Sequence, residues 1–323
     1  MEGLSKAVLL AAHCWEDVDR VPGRPEMTAF RRRVRHRQAR WRERNGLPMG
    51  TQPIAPKPGE DPRPLGSRLP LDLAGRSGAN FLIPTARAAV DDRLAQPEPH
   101  QTLSTQRLWA DLLSSMPMCF NLFGDLAQEP AAATAAIHAW WPDVPGGVDC
   151  VAFEHSPGRL DADYLGNRSA FDVAFLLDLG SSRGVLGIET KYHERTGSEK
   201  TPSDARLARY REVSERSGAF RPDALEDLIG TDLQQIWLDH LLVLSMIQHP
   251  SERWAWGRFV LVHPAENLDF ADACRRYGEL LVGEQNTFAS ATIESLLAVD
   301  GALPLATARA FRDRYLTDEG EGS

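Results

Sequence analysis

The sequence has little that would cross-link it or place it in a membrane. Its four cysteines, Cys14, Cys119, Cys150 and Cys274, lie far apart and form no CxxC pair. That excludes a disulfide framework and a zinc knuckle, and it suits a reducing compartment. No apolar run approaches the ~18 residues of a membrane span. The short apolar stretch from Lys6 to Cys14 contains His13 and is too weak for a secretory signal. A cytoplasmic location without a membrane partner is expected. His155, His193 and His240 lack the paired spacing of a zinc site and read as core or surface residues. Positive charge is short overall, with a formal net charge of −9, so any nucleic-acid surface must be local. Lysine is the scarcest resource: of 36 basic residues only Lys6, Lys57, Lys191 and Lys200 are lysine. Each one therefore stands out.

What is present reads as an ordinary globular chain. Across 323 residues, 42% are hydrophobic and 25% charged, enough for a sizeable core in one large domain or in a domain with additions. From Phe30 to Arg44 the chain runs FRRRVRHRQARWRER, with Phe30, Val34 and Trp41 on one side of a helix and arginine on the other. Arg31, Arg32, Arg33, Arg35, Arg37 and Arg40 on that helix are candidates for gripping nucleic-acid phosphates, with a docked or solvated basic face as the equal alternative. The prolines from Pro53 to Pro70 deny the chain helix and ladder donors and predict an extended linker. The organisation expected is residues 1–100 as basic helix, linker and helical extension, followed by a domain over 101–323.

Periodicity predicts helices over 78–94 and 105–126, the second capped by Ser104. Three segments rich in β-branched residues, 148–154, 169–179 and 184–192, predict strands. Gly180, Ser181, Ser182 and Arg183 make a short turn that pairs the last two as an antiparallel hairpin. A helix over 232–248 ends at His249-Pro250, and a strand follows over 258–263. Helices over 267–282 and 304–315 and an edge strand near 289–296 complete the prediction. The central order is helix, three strands, helix, strand.

Inside these apolar strands sit Asp172, in AFDVAFLL, and Glu189 and Lys191, in VLGIETKY. Charge in such places is costly without a reason. Side chains alternate along a strand, so Glu189 and Lys191 face the same way. Depending on hairpin register, Asp172 lies opposite Lys191 or opposite Glu189. Two carboxylates beside an ammonium group make a hard-oxygen site for Mg²⁺ or Mn²⁺, while the lysine acts on a water and on developing negative charge. Glu154, ending the first strand, is a third candidate metal ligand or else a turn cap.

Asp172, a gap of sixteen residues and then Glu189-Thr190-Lys191 resembles the PD-(D/E)xK nuclease signature. The element order is similar to that superfamily's αβββαβ core. PMCFNLFG, FEHSPGR, YLGNRSAFD and IETKYHE further resemble restriction-endonuclease-like proteins of the superfamily, over residues 28–316. Phe171 stands where the signature has proline. The resemblance implies an α/β restriction-endonuclease-like fold with a mixed sheet and extra N- and C-terminal helices. It also implies metal ligation by Asp172, Glu189 and the Thr190 carbonyl, a catalytic Lys191, and a supporting glutamine at Gln235 or its neighbour Gln234. The activity expected is phosphodiester hydrolysis with Mg²⁺ or Mn²⁺ on nucleic acid, DNA ahead of RNA, with a homodimer left open. The alternative is a nuclease-fold binding or scaffold protein without catalysis.

Overall fold

The computed structural model describes residues 4–53, 59–283 and 286–317. They divide into two compact units: one holds the chain to Arg87, Leu103–Gly124 and the chain from Pro304, and the other holds Ala88–Thr102 and Asp125–Leu303. The first unit thus includes the last helix of the chain.

In the first unit, α1 (Lys6–Ala11) starts at Ser5, whose hydroxyl accepts from Val8 N. The arginine-rich helix α2 (Pro25–Arg44) begins at a proline, and Phe30, Val34 and Trp41 are all buried along one side of it. The expected linker partly covers residues 54–58, which lie outside the described residues. On either side of them β1 (Gly50–Thr51) and β2 (Pro64–Leu65) pair antiparallel. Gly66 is then packed so closely that a Cβ would collide with the Ala12 carbonyl. Proline here removes ladder donors without preventing packing.

One predicted helix starts late and the other is interrupted. Gly78 takes a left-handed conformation (φ 67°) that ends α3 (Leu71–Ser77), and α4 (Pro84–Ala95) starts only at Pro84. Ser104 caps α5 (Thr105–Ala110) as expected, but Asp111 and Ser114 then accept from the backbone N–H groups of Leu113 and Met116 and restart the chain as α6 (Ser115–Phe123).

The second unit is built on a five-stranded sheet. It opens with α7 (Pro130–Trp140), an alanine-rich helix that the pattern reading missed. Next come β3 (Gly147–His155), β4 (Phe171–Asp178) and β5 (Arg183–Thr190). Helices α8 (Asp204–Ser217), α9 (Ala224–Leu228) and α10 (Gln234–Ile247) lead across to β6 (Trp254–His263). α11 (Leu268–Glu279), β7 (Phe288–Thr292) and α12 (Ile293–Leu297) follow, and α13 (Leu305–Tyr315) belongs to the first unit. The sheet runs β3-β4-β5-β6-β7, antiparallel across the first three strands and parallel across the last three. This is a mixed sheet in an α/β fold, with the αβββαβ order.

Parallel β5 and β6 need a long crossover, and its last helix, α10, lies on the sheet. Ile236, Trp237, Leu241, Val243 and Leu244 pack into one core with Ala174, Val185, Phe259 and Leu261. Each large side chain so buried contributes roughly 1.5–3 kcal/mol. At Gly257 a Cβ would meet Val243 at 2.6 Å, so the absence of a side chain lets α10 sit close. Among the described residues, no helix is long and apolar enough to cross a membrane.

Candidate active site

The hairpin register decides how the signature residues meet. Val173 pairs with Ile188 and Asp178 with Arg183, which puts Asp172 opposite Glu189 rather than Lys191. A Cβ at Gly187 would lie 2.5 Å from the Phe171 ring, so this glycine is what allows that ring to cross the strand. Phe171, standing in place of the signature proline, thus locks the start of β4 by packing.

Asp172 Oδ2 accepts from Thr190 N at 2.8 Å and from Thr190 Oγ1 at 2.6 Å. A fully buried threonine therefore orients the aspartate with both its backbone N–H and its hydroxyl. The sequence reading had assigned Thr190 only a carbonyl. Lys191 follows directly, its backbone N–H bonded to the Val262 carbonyl on β6 at 2.8 Å. Its Nζ lies 2.6 Å from Glu189 Oε1. Asp172, Glu189 and Lys191 are thus brought to one end of β4 and β5.

The helix prediction also resolves. Gln235 Nε2 reaches Glu189 Oε1 at 3.5 Å, whereas Gln234 is buried, accepting from Gly230 N and donating to the Lys200 carbonyl. Gln235 is the glutamine that faces the site. One turn further along α10, Asp239 is 8% exposed and its Oδ2 has no hydrogen-bond partner. Nothing in the sequence pattern singled it out beyond an acid inside an apolar helix face, WLDHLL.

Glu154 sits on β3 between the positions paired with Val173 and Phe171. Its φ of 50° breaks the strand's alternation there. Arg93 and Arg159 donate to the Phe153 and Glu154 carbonyls and hold that shape. Among the described residues, no group of three or more His, Cys, Asp or Glu side chains is arranged to hold a metal. His240 is a core residue, with its ring nitrogens bonded to Tyr277 OH and Thr287 Oγ1.

Charge is unevenly matched here. Burial and the Asp172 charge push the Glu189 carboxyl up to about 7, although Lys191 pulls the other way. Burial, with the charges of Glu189 and Asp172, holds Asp239 well above the usual carboxylate range. Burial disfavours the Lys191 ammonium, but the carboxylates of Glu189, Asp239 and Glu194 outweigh it and raise its pKa. Beyond the lysine, Glu194 accepts from Tyr192 N at 2.6 Å, and buried Asn267 donates to the carbonyls of Tyr192 and Glu194. Those bonds fix the turn by which the chain leaves the site.

A family model described as the PD-(D/E)XK nuclease superfamily matches residues 25–317. The chain belongs to the PD-(D/E)XK nuclease superfamily. No curated protein and no solved structure is significantly similar to it. The matched residues include Asp172, Glu189 and Lys191.

The predicted phosphate-gripping arginines behave differently. Arg35 is buried and bidentate to Asp19 at 2.8 and 2.9 Å, and Arg37 is buried and donates to the Tyr315 carbonyl at 2.6 Å. These bonds give the two arginines a structural role, as in the docked alternative. Arg31 also lies near Asp19, at 3.6 Å, Arg32 stacks over Trp15, and Arg40 pairs with Glu43. Arg33 is half-buried on the same helix.

Proposed function

We propose that the protein is a divalent-metal-dependent nuclease that hydrolyses phosphodiester bonds of DNA. The observation that carries this reading is the convergence of the Asp172 and Glu189 carboxylates beside the Lys191 ammonium. The donor set fits Mg²⁺ or Mn²⁺, because hard cations take carboxylate and carbonyl oxygens. Burial, and after it the Asp172 charge, raise the Glu189 pKa, and a bound cation would offset both. Asp172, Glu189 and the Thr190 carbonyl would hold the ion. When bound, the cation would polarise the phosphate and lower the pKa of water.

The remaining work falls to the chain's own groups. Thr190 keeps Asp172 aimed, and Gln235 stands beside Glu189 at the exposed rim. Lys191 orients the attacking water and offsets negative charge as it builds on the phosphate. The resemblance of its sequence motifs to restriction-endonuclease-like proteins is the ground for placing DNA ahead of RNA. The test is incubation of purified protein with circular and linear DNA and with RNA, in Mg²⁺, Mn²⁺ or EDTA. Metal-dependent cleavage of DNA is expected. Binding without cleavage under every condition would instead favour a scaffold role for the fold, and preferential cleavage of RNA would reassign the substrate.

A further inference from the structure

A lysine ammonium has three N–H donors, and Lys191 is bonded to Glu189 Oε1 at 2.6 Å. Gln235 reaches the same oxygen. If Glu189 is to ligate a cation, the lysine must be held by something else, or it will either follow Glu189 toward a like charge or drift away.

Helix α10 carries another buried acid. Asp239 lies four residues after Gln235 on α10, and residues at that spacing share a helix face. It therefore looks toward the same strand ends. The side chain is 8% exposed, and its Oδ2 is buried without a hydrogen bond. Buried carboxylate oxygens are rarely left in that state, because the desolvation penalty is then uncompensated. The charges that act on it are those of Glu189, Lys191 and Asp172, and its own charge is among those that keep Lys191 protonated.

Resting on the proposed nuclease reading, we propose that Asp239 is a positioning residue for Lys191, accepting its ammonium when Glu189 turns to the cation. The lysine is then held beside the attacking water by an acid that is not itself a ligand. Asp239 would act on the reaction only through Lys191.

The test is a double-mutant cycle with a labelling readout. Asp239→Asn is compared with wild type, and again in a Lys191→Met background, with turnover and KM on plasmid DNA in Mn²⁺. With the lysine present, Asp239→Asn is expected to lower kcat about tenfold, the size typical of residues that orient catalytic groups, with little change in KM. With Lys191→Met already made, the same substitution is expected to change kcat less than about twofold. Asp239→Glu, which keeps the carboxylate, should recover part of the loss. Separately, peptide mapping after brief treatment with an amine-acylating reagent, with Mn²⁺ bound, is expected to show faster labelling of Lys191 in Asp239→Asn. Asp239→Ala gives the same comparisons without the Asn amide.

Equal losses in both backgrounds, or unchanged labelling in a folded variant, would overturn the assignment while leaving the nuclease reading intact. A wild-type protein that neither binds Mn²⁺ by calorimetry nor cleaves DNA would overturn both.

Discussion

One place in each unit shows buried charge treated in opposite ways. In the first, Arg35 and Asp19 form a bidentate pair. Fully buried Arg314 donates to Gln38 Oε1, to the Asn80 carbonyl and to Asn80 Oδ1, and lies over the Trp41 ring. In the second, one lysine answers to Glu189, Asp239 and Glu194, Asp239 keeps an unbonded oxygen, and Glu189 is pushed up to about 7. Matched charge builds a fold, whereas mismatched charge held rigid is a site prepared for a ligand. The difference lies in whether each buried charge has found its partner.

Substitutions can sharpen that contrast. Arg35→Leu should have the largest effect on stability, because it leaves buried Asp19 without its bidentate partner and with only Arg31 at 3.6 Å; the loss expected from urea unfolding is about 3 kcal/mol. A loss below 1 kcal/mol would mean that the pair is not structural. Glu189→Gln should do the reverse. Cleavage is expected to fall on the order of a hundredfold or more, while the melting midpoint in EDTA stays level or rises, since repulsion with Asp172 is removed. A clear fall in the midpoint would place this charge with the structural ones.

Gly187→Ala tests the packing beneath the site. Its Cβ would lie 2.5 Å from the Phe171 ring, and such overpacking costs about 1–3 kcal/mol. Cleavage should weaken with it, because the start of β4 carries Asp172; unaltered stability and activity would show that the ring yields freely. The smallest effect concerns pH. Burial pushes His240 down to about 3 from the usual 6.5. The unfolded chain therefore takes up a proton below pH 6.5 that the folded chain refuses, and stability falls as pH drops from 6.5 toward 3. By pH 5.5 the contribution is roughly 1 kcal/mol. His240→Gln should flatten that part of the stability curve, and an unchanged slope would contradict the assignment.

The sheet was legible from the chain because its strands are apolar and carry strong turn signals. The predicted strand over 169–179 appears as Phe171–Asp178, and the Gly180–Arg183 turn made the hairpin. The signature residues could be read for the same reason, since strand alternation fixes what faces what. The helical regions were less legible. Asp111 and Ser114 interrupt a run of helical spacing through side-chain bonds that periodicity does not register, and α7 is mostly alanine, which carries little hydrophobic contrast. Asp239 escaped because its importance depends on which residues α10 faces across the sheet. The roles of Arg35 and Arg37 stayed open for the mirror reason: their inward partners, Asp19 and the Tyr315 carbonyl, lie 16 and 278 residues away.

The division of labour between carboxylates and lysine is tested most directly by Mn²⁺ calorimetry alongside plasmid cleavage, for wild type, Asp172→Ala and Lys191→Ala, with circular dichroism to check folding. Asp172→Ala is expected to lose both metal affinity and cleavage, because an anionic oxygen ligand is gone. Lys191→Ala is expected to bind Mn²⁺ at least as well as wild type, yet to cleave on the order of a hundredfold more slowly. Full cleavage by a folded Asp172→Ala protein, or cleavage by wild type that persists in EDTA, would contradict the account.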